Sequence, residues 1–363
     1  LGRASRLVWD RRFDEALFEL KRSTAQGRSP SPGRAARMRL LAGEADRELA
    51  DIQRNQGNPS EAIQTLKGAA RRFRSLLHST ESRTRVRDGL GRTLTLLGEL
   101  ESFHGDQPRG ERDLRNGLEV LRELTELPGS DWTVQRNYAV GQVALAQVRI
   151  LRGDFQTAVE IARGARRRLE GLELGPGQGL PSSGRANLIM NQGRAVTVEA
   201  VGLHLESREG NAAISVGRRL ALRAVRASRG TNPVMWRRLG IASRVQLAML
   251  ATQREVQPPL QGLAHRGRRA FLRSLALSPA EPDTLYEYAR LLRLSSLCFP
   301  RRETSRGAKN VTSELRELLA SADRLVHDHP ARWLDPWLDS SRRFPPQFDF
   351  PTGALARWLL PSC

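Results

Sequence analysis

Apolar and small positions recur along this chain in one register three times: LADIQRNQGNPSEAIQTLKGA (49–69), LGELESFHGDQPRGERDLRNG (97–117) and LAQVRILRGDFQTAVEIARGA (145–165). Each segment opens on Leu and a small residue, places a Gly eight residues after the Leu, and returns to small residues thirteen and twenty after it. Gly57, Gly105 and Gly153 are therefore spaced by 48 residues twice. The pattern predicts helix-turn-helix units. The Leu-small pair belongs to a first helix, the Gly ends it with positive φ, and a small residue in the second helix lets two backbones approach. Ala62, Gly110 and Ala158 occupy the first close-contact position, and Ala69, Gly117 and Ala165 the second. A large side chain at either would push the helices apart.

Outward from this core the pattern loosens. DRRFDEALFEL (10–20) reads as the opening of a second helix, with Phe13 at the turn and Ala16 in the small position. GLELGPGQGLPSSG (171–184) breaks helix with Gly and Pro, and the next turn glycine, Gly210, lies 57 residues from Gly153, one period plus an inserted loop. A fourth pair places Leu203, His204 and Leu205 in its first helix and 211–225 in its second. A fifth runs over 233–253 and 259–277, with Pro258 and Pro259 in place of the glycine turn. Ser274 and Pro279 mark a further boundary, followed by helix from 286–294 and 314–327. The organisation predicted is a partial repeat over 1–33, three well-formed repeats over 34–172, a Gly/Pro loop over 173–184 and two to three degenerate repeats over 185–330. A Trp/Pro-rich tract follows over 331–363, whose Trp333, Trp337 and Trp358 would cover the last apolar face.

Composition agrees with helices: 39% of residues are hydrophobic and 5% aromatic, and Leu, Ala and Val dominate. The formal charge of +20 changes the picture less than its size suggests. Of the 59 basic residues only Lys21, Lys67 and Lys309 are lysines, and such an Arg excess reads first as replacement of Lys at solvated positions, then as a site for an acidic partner, and last as a nucleic-acid surface. Cys298 and Cys363 cannot build a disulfide framework, and no Cys/His cluster has zinc spacing. His327 and His329 point apart on a helix end. No run approaches the roughly 18 to 20 apolar residues that cross a bilayer. The sequence begins at Leu1 inside a helical pattern, so the chain reads as the C-terminal part of something longer.

Motifs of catalysis do not emerge. GPGQG (175–179) lacks the preceding strand and following helix of a phosphate loop. No serine elbow, HExxH or kinase triplet occurs, and Gly153-Asp154-Phe155 has the wrong order for one. Asn310-Val311-Thr312 matches a glycosylation triplet but reads as a helix start, with Thr312 or Ser313 capping. Glu317 and Asp323 have no base or nucleophile grouped with them. The expectation is a non-enzyme without metal or cofactor.

The residues at 49–69, 97–117 and 145–165 carry a resemblance to the tetratricopeptide repeat, whose usual unit is about 34 residues. Here the unit is 48 residues, which implies helices near 20 residues each. The resemblance implies an all-α, right-handed α-solenoid of antiparallel helix pairs. It also implies a peptide-binding groove lined by first helices: Arg47, Asp51 and Arg54 in one repeat; Arg92, Thr95, Glu99 and Ser102 in the next; Val143, Gln147 and Ile150; then His204 and Ser207. Such a groove, charged at one end and apolar in the middle, suits a protein or peptide with acidic and apolar anchors. It lacks the Lys/Asn clamp of chaperone-binding members.

The Arg-rich array, its long repeats and the late RWLDPW segment (332–337) also resemble the C-terminal regions of bacterial serine/threonine protein kinases that carry these repeats. That implies a non-catalytic scaffold in a signalling protein, cytoplasmic, or extracytoplasmic if a membrane helix precedes it. The reading of a different class is an Arg-rich helical-repeat module for nucleic acid, which would need basic residues along one face of the array.

Overall fold

The computed structural model describes residues 31–298, apart from 56–57, 78–82, 105, 176–178, 208, 253–258 and 280. Among the described residues there are eleven helices and no strand. They are α1 (Pro32–Asn55), α2 (Pro59–Ser75), α3 (Arg83–His104), α4 (Gln107–Thr125), α5 (Trp132–Leu151), α6 (Phe155–Leu174), α7 (Ser182–Ser207), α8 (Asn211–Ala227), α9 (Pro233–Thr252), α10 (Pro259–Leu277) and α11 (Pro282–Cys298). The turn glycines Gly57 and Gly105 lie outside the described residues, as do the segment at 10–20, Asn310, His327, His329 and the three C-terminal tryptophans. The helices run from 17 to 26 residues, which accounts for a repeat longer than the usual tetratricopeptide unit.

The chain divides within α5 into two compact units, residues up to Gly141 and from Gln142 onward. In the first unit the pairing of α3 with α4 is antiparallel and depends on missing side chains. A Cβ on Gly98 would fall 2.7 Å from the Leu114 Cα, and one on Gly117 would fall 2.7 Å from both the Gly91 carbonyl oxygen and the Thr95 nitrogen. As the chain advances along α4 from 114 to 117 its contacts retreat along α3, the signature of an αα-hairpin. On α2, Phe73 is fully buried and lies against Gly43 of α1 and Gly89 of α3, where a Cβ would collide with its ring. Leu40, Ala69, Leu76, Val86, Leu90 and Leu94 complete that cluster. Helix α4 starts on Asp106, whose carboxylate accepts a hydrogen bond from the Arg109 N–H at 3.0 Å and so satisfies one of the free amides of the first turn.

In the second unit α5 ends at Gly153, which has φ +81. The Asp154 N–H donates to the Arg149 carbonyl and the Gly153 N–H to that of Ile150, both at 3.0 Å, the paired bonds of a Schellman end. Arg149 then donates through Nη1 to the Asp154 carboxylate at 2.9 Å, tying the end of α5 to the start of α6. The α8 end is built likewise, but there Arg229 takes the left-handed position (φ 54), and Gly230 follows at φ 70. Antiparallel pairing recurs in α7 with α8, through Gly193 and Gly217, and in α9 with α10, where the Phe271 ring covers Gly240 and Gly267 faces Ser243. Ser274 donates to the Pro233 carbonyl at 2.9 Å, so this small position closes one end of the α9–α10 pair.

The buried charges that α9 and α11 bring together are paired. Arg237 of α9 meets Glu281 at 2.7 Å and Asp283 at 3.0 Å. Arg244 meets Glu287 at 2.8 Å and Arg290 meets the same carboxylate at 3.4 Å. Charges taken out of water need such partners, and these join α9 to α11. No helix among the described residues is long and apolar enough to cross a membrane.

Candidate functional site

First helices bring one group of charged side chains together in the first unit. From α1 comes Arg47, part-buried and hydrogen-bonded to Glu48. From α3 come Arg92 and Asp88, 3.8 Å apart at one helical turn, with Arg92 also 3.9 Å from Glu48. From α5 come Arg136 and Asn137, and Asn137 donates to Asp88 at 3.5 Å. The Arg136 guanidinium lies 5.2 Å from the centre of the Trp132 ring, within cation–π range.

The group holds three guanidiniums and two carboxylates. Burial, and after it the nearby Arg47, lowers the Arg92 guanidinium to about 10; Asp88 and Glu48 oppose this and Arg136 adds to it. Burial also lowers Arg136, against the pull of Asp88 and Asp131. Cations held below their usual range by desolvation, and at Arg92 by neighbouring guanidiniums as well, favour the arrival of an anion, because a carboxylate there relieves repulsion that the resident acids leave uncompensated.

The groove positions expected from sequence fare differently from one another. Arg47 and Arg92 meet in this group. Asp51 and Arg54 form an exposed-side pair at 2.8 Å on the last turn of α1, and Ser207 is exposed, its hydroxyl donating to the Leu203 carbonyl at 3.1 Å. The remainder are buried. Thr95 and Ser102 sit at the α3–α4 contact, over Gly117 and Gly110, and Glu99 between them is buried too. Gln147 is fully buried and accepts a hydrogen bond from Arg194 of α7 at 2.6 Å. Val143, Ile150 and His204 are buried as well. At these places neighbouring helices close over the side chains that counting back from each turn had assigned to the ligand.

Asp88, Arg136 and Asn137 had no place in the sequence reading. One signal was available: Arg92 and Arg136 lie 44 residues apart, four short of the period, so they stand one turn apart on equivalent helices. Among the described residues no group of three or more His, Cys, Asp or Glu side chains could hold a metal ion.

No known protein family and no curated protein matches the chain. Among solved structures it is similar to Nro1, a hypoxic regulator of sterol synthesis described as a nuclear import adaptor. Identity is 13%, over 80% of this chain and 89% of that one, with a TM-score of 0.45. It is also similar to a monomeric mutant of IFIT1 with Gppp-AAAA, at 13% identity over 92% of this chain and 70% of that one, with a TM-score of 0.45.

Proposed function

We propose that this chain is a non-catalytic protein-binding scaffold whose first-helix face takes an extended segment with acidic and apolar anchors. The Arg47, Arg92 and Arg136 group carries the reading. Three part-buried guanidiniums contributed by successive first helices form a surface on which an acidic side chain replaces repulsion with charge-assisted hydrogen bonds. Asp51, Arg54, Glu99 and Ser102 belong to the same reading as first-helix positions of the same unit, and Gln147, His204 and Ser207 are first-helix positions of the second unit, read there separately. The RWLDPW segment and the long Arg-rich repeats support placing the scaffold in a larger bacterial signalling protein of kinase type.

The test is selection from a displayed library of random peptides on the purified chain. A consensus with Asp or Glu beside an apolar residue is expected, and R47Q/R92Q should weaken its binding roughly tenfold or more, as loss of part-buried charge-assisted contacts does, with helicity unchanged. If no consensus emerges, or if it binds R47Q/R92Q as well as the wild type, the reading fails.

A further inference from the structure

Charge is distributed unevenly along the array. Through α6 many of the described arginines answer a carboxylate: Arg85 meets Glu44 at 2.7 Å, Arg115 meets Glu111 at 2.6 Å, Arg122 meets Glu119 at 2.6 Å and Arg163 meets Glu199 at 2.8 Å. From Asn211 to Leu277 the sequence holds thirteen arginines and one acid, Glu255. The arginines of α9 are engaged internally, Arg237 and Arg244 with acids at and within α11. On α8, Arg223 is bound to Glu173 of α6. What is left faces outward on α8 and α10.

On α8 the buried residues are Ile214, Gly217, Ala221, Ala224 and Val225, which puts Arg218 at the edge of the outer face and exposed Arg219 within it. On α10, Arg266, Arg269 and Arg273 follow at helical spacing and all three are exposed. Arg218 of α8 and Arg266 of α10 lie within electrostatic range of one another. Arg218 is pushed below its usual range first by burial, then by Arg266 and by Arg219, and no carboxylate offsets it. Its Nε is buried without a hydrogen-bond partner.

Two further observations decide what kind of anion fits. Leu272 and Leu277 are each 46% exposed, and they lie beside Arg269 and Arg273 on the same helix. Neither helix offers a Phe, Tyr or Trp ring: α8 has none, Phe271 of α10 is fully buried and stacked on Tyr288, and the one exposed ring is the small imidazole of His265. Single-stranded nucleic acid is held by basic grooves that also supply rings for its bases. An acidic helix with an apolar stripe needs arginines with exposed aliphatic groups between them.

We propose that the outer face of α8 and α10, formed by Arg218, Arg219, Arg266, Arg269, Arg273 and Leu272, docks an acidic amphipathic helix of a partner protein. This rests on the protein-binding reading above but places a second interface on second helices. It also accounts for the concentration of unanswered charge in one region, which a uniform excess of arginine does not.

The test measures anisotropy of a fluorescein-labelled helical peptide of Glu and Leu, with leucines at i, i+3, i+4 and i+7, on the full chain. A poly-Glu peptide of equal charge and a poly-U RNA of equal length run beside it. Expected results are tightest binding of the Glu/Leu peptide, a loss of roughly tenfold or more in R218E/R266E/R269E and a smaller loss in L272S. R71E/R74E/R112E, which reverses as many exposed arginines on α2 and α4, should change binding less than about twofold. Equal losses in the two triple variants, or none in the first, overturn the proposal. If R218E/R266E/R269E melts early, R218Q/R266Q/R269Q removes the charge without reversing it and is judged by the same outcomes. Should R47Q/R92Q lose the peptide while the α8–α10 variants keep it, this surface fails and the scaffold reading stands. Should the RNA bind more tightly than either peptide to the wild-type chain and lose binding in the first triple variant, the surface serves nucleic acid and both readings fail.

Discussion

Arg244 and Glu287 meet at 2.8 Å with side chains 0% and 1% exposed, so the ion pair that joins α9 to α11 is sealed from water. Its energetics are asymmetric. Removing one partner strands a buried charge, whereas replacing both with apolar groups removes two desolvation costs at once. Glu287→Leu should destabilise the second unit by about 3–5 kcal/mol, and R244M/E287L should recover part of that, since Arg290 still loses the same carboxylate. Urea unfolding of the three proteins checks this; a double variant no more stable than Glu287→Leu would show that an Arg244 left without Glu287 carries no cost.

Gly98 and Gly117 hold α3 and α4 at a distance that admits no Cβ. Gly98→Ala and Gly117→Ala should each cost about 1–3 kcal/mol as the helices separate, despite the better helix propensity of Ala. Gly68 and Gly164 have nothing within 4 Å of a built Cβ, so Ala there should leave stability unchanged or raise it by up to about 1 kcal/mol. Thermal melts of the four variants should fall into those two groups.

Arg229 holds a left-handed conformation that an L side chain adopts at a cost of about 1–2 kcal/mol. Arg229→Gly removes that strain but gives the unfolded chain more freedom, so the net gain should be about 0.5–1 kcal/mol. A lower melting temperature for this variant would mean that the Arg229 side chain contributes more than its backbone loses.

Burial raises the Cys298 thiol to about 12. The folded state then keeps the proton over a range in which an unfolded thiol, near 8.5, has released it. Because the native state binds more protons there, stability should fall as pH rises from about 8.5 toward 12, and Cys298→Ala should flatten that part of the profile. Labelling with a thiol reagent at pH 8 should be slow at this site in the folded chain and fast in denaturant.

Arg92 has the opposite sign. Its guanidinium is held down at about 10 in the folded chain, so below that pH the native state carries the full cost of a desolvated cation, and the cost is relieved only as pH rises through about 10. At neutral pH Arg92→Met should leave the melting temperature unchanged or higher. Sulfate should stabilise the wild-type chain more than this variant, and a melting temperature lowered by Arg92→Met would show that Asp88 and Glu48 outweigh the burial.

The fold was legible because it rests on positions that admit only small residues or require a positive φ. Gly153 closes α5 with positive φ, and Gly110, Gly117 and Ala158 set the approach of paired helices. The inserted loop near 175 showed as a slip in the glycine spacing. The candidate site was legible only in part. Arg47 and Arg92 could be placed on first helices by counting from the turns, but counting assigns an angle on one helix and says nothing of what packs over it. Gln147 is covered because Arg194 of α7 reaches it, and Ser102 because Gly110 brings the α4 backbone onto it. The α8–α10 face was hidden in the total charge, since a net value does not tell a paired arginine such as Arg223 from an unanswered one such as Arg219.

Phe73 reaches past its own hairpin. Its ring lies over Gly43 of the helix before it and Gly89 of the helix after it, so the seam between neighbouring repeats has a shape of its own. The residue 48 positions beyond Gly89 is Asn137, which would present an amide to the ring if one repeat were excised and its neighbours rejoined. The repeats share a period but not their joints, and a chain of the same units in another order would not close.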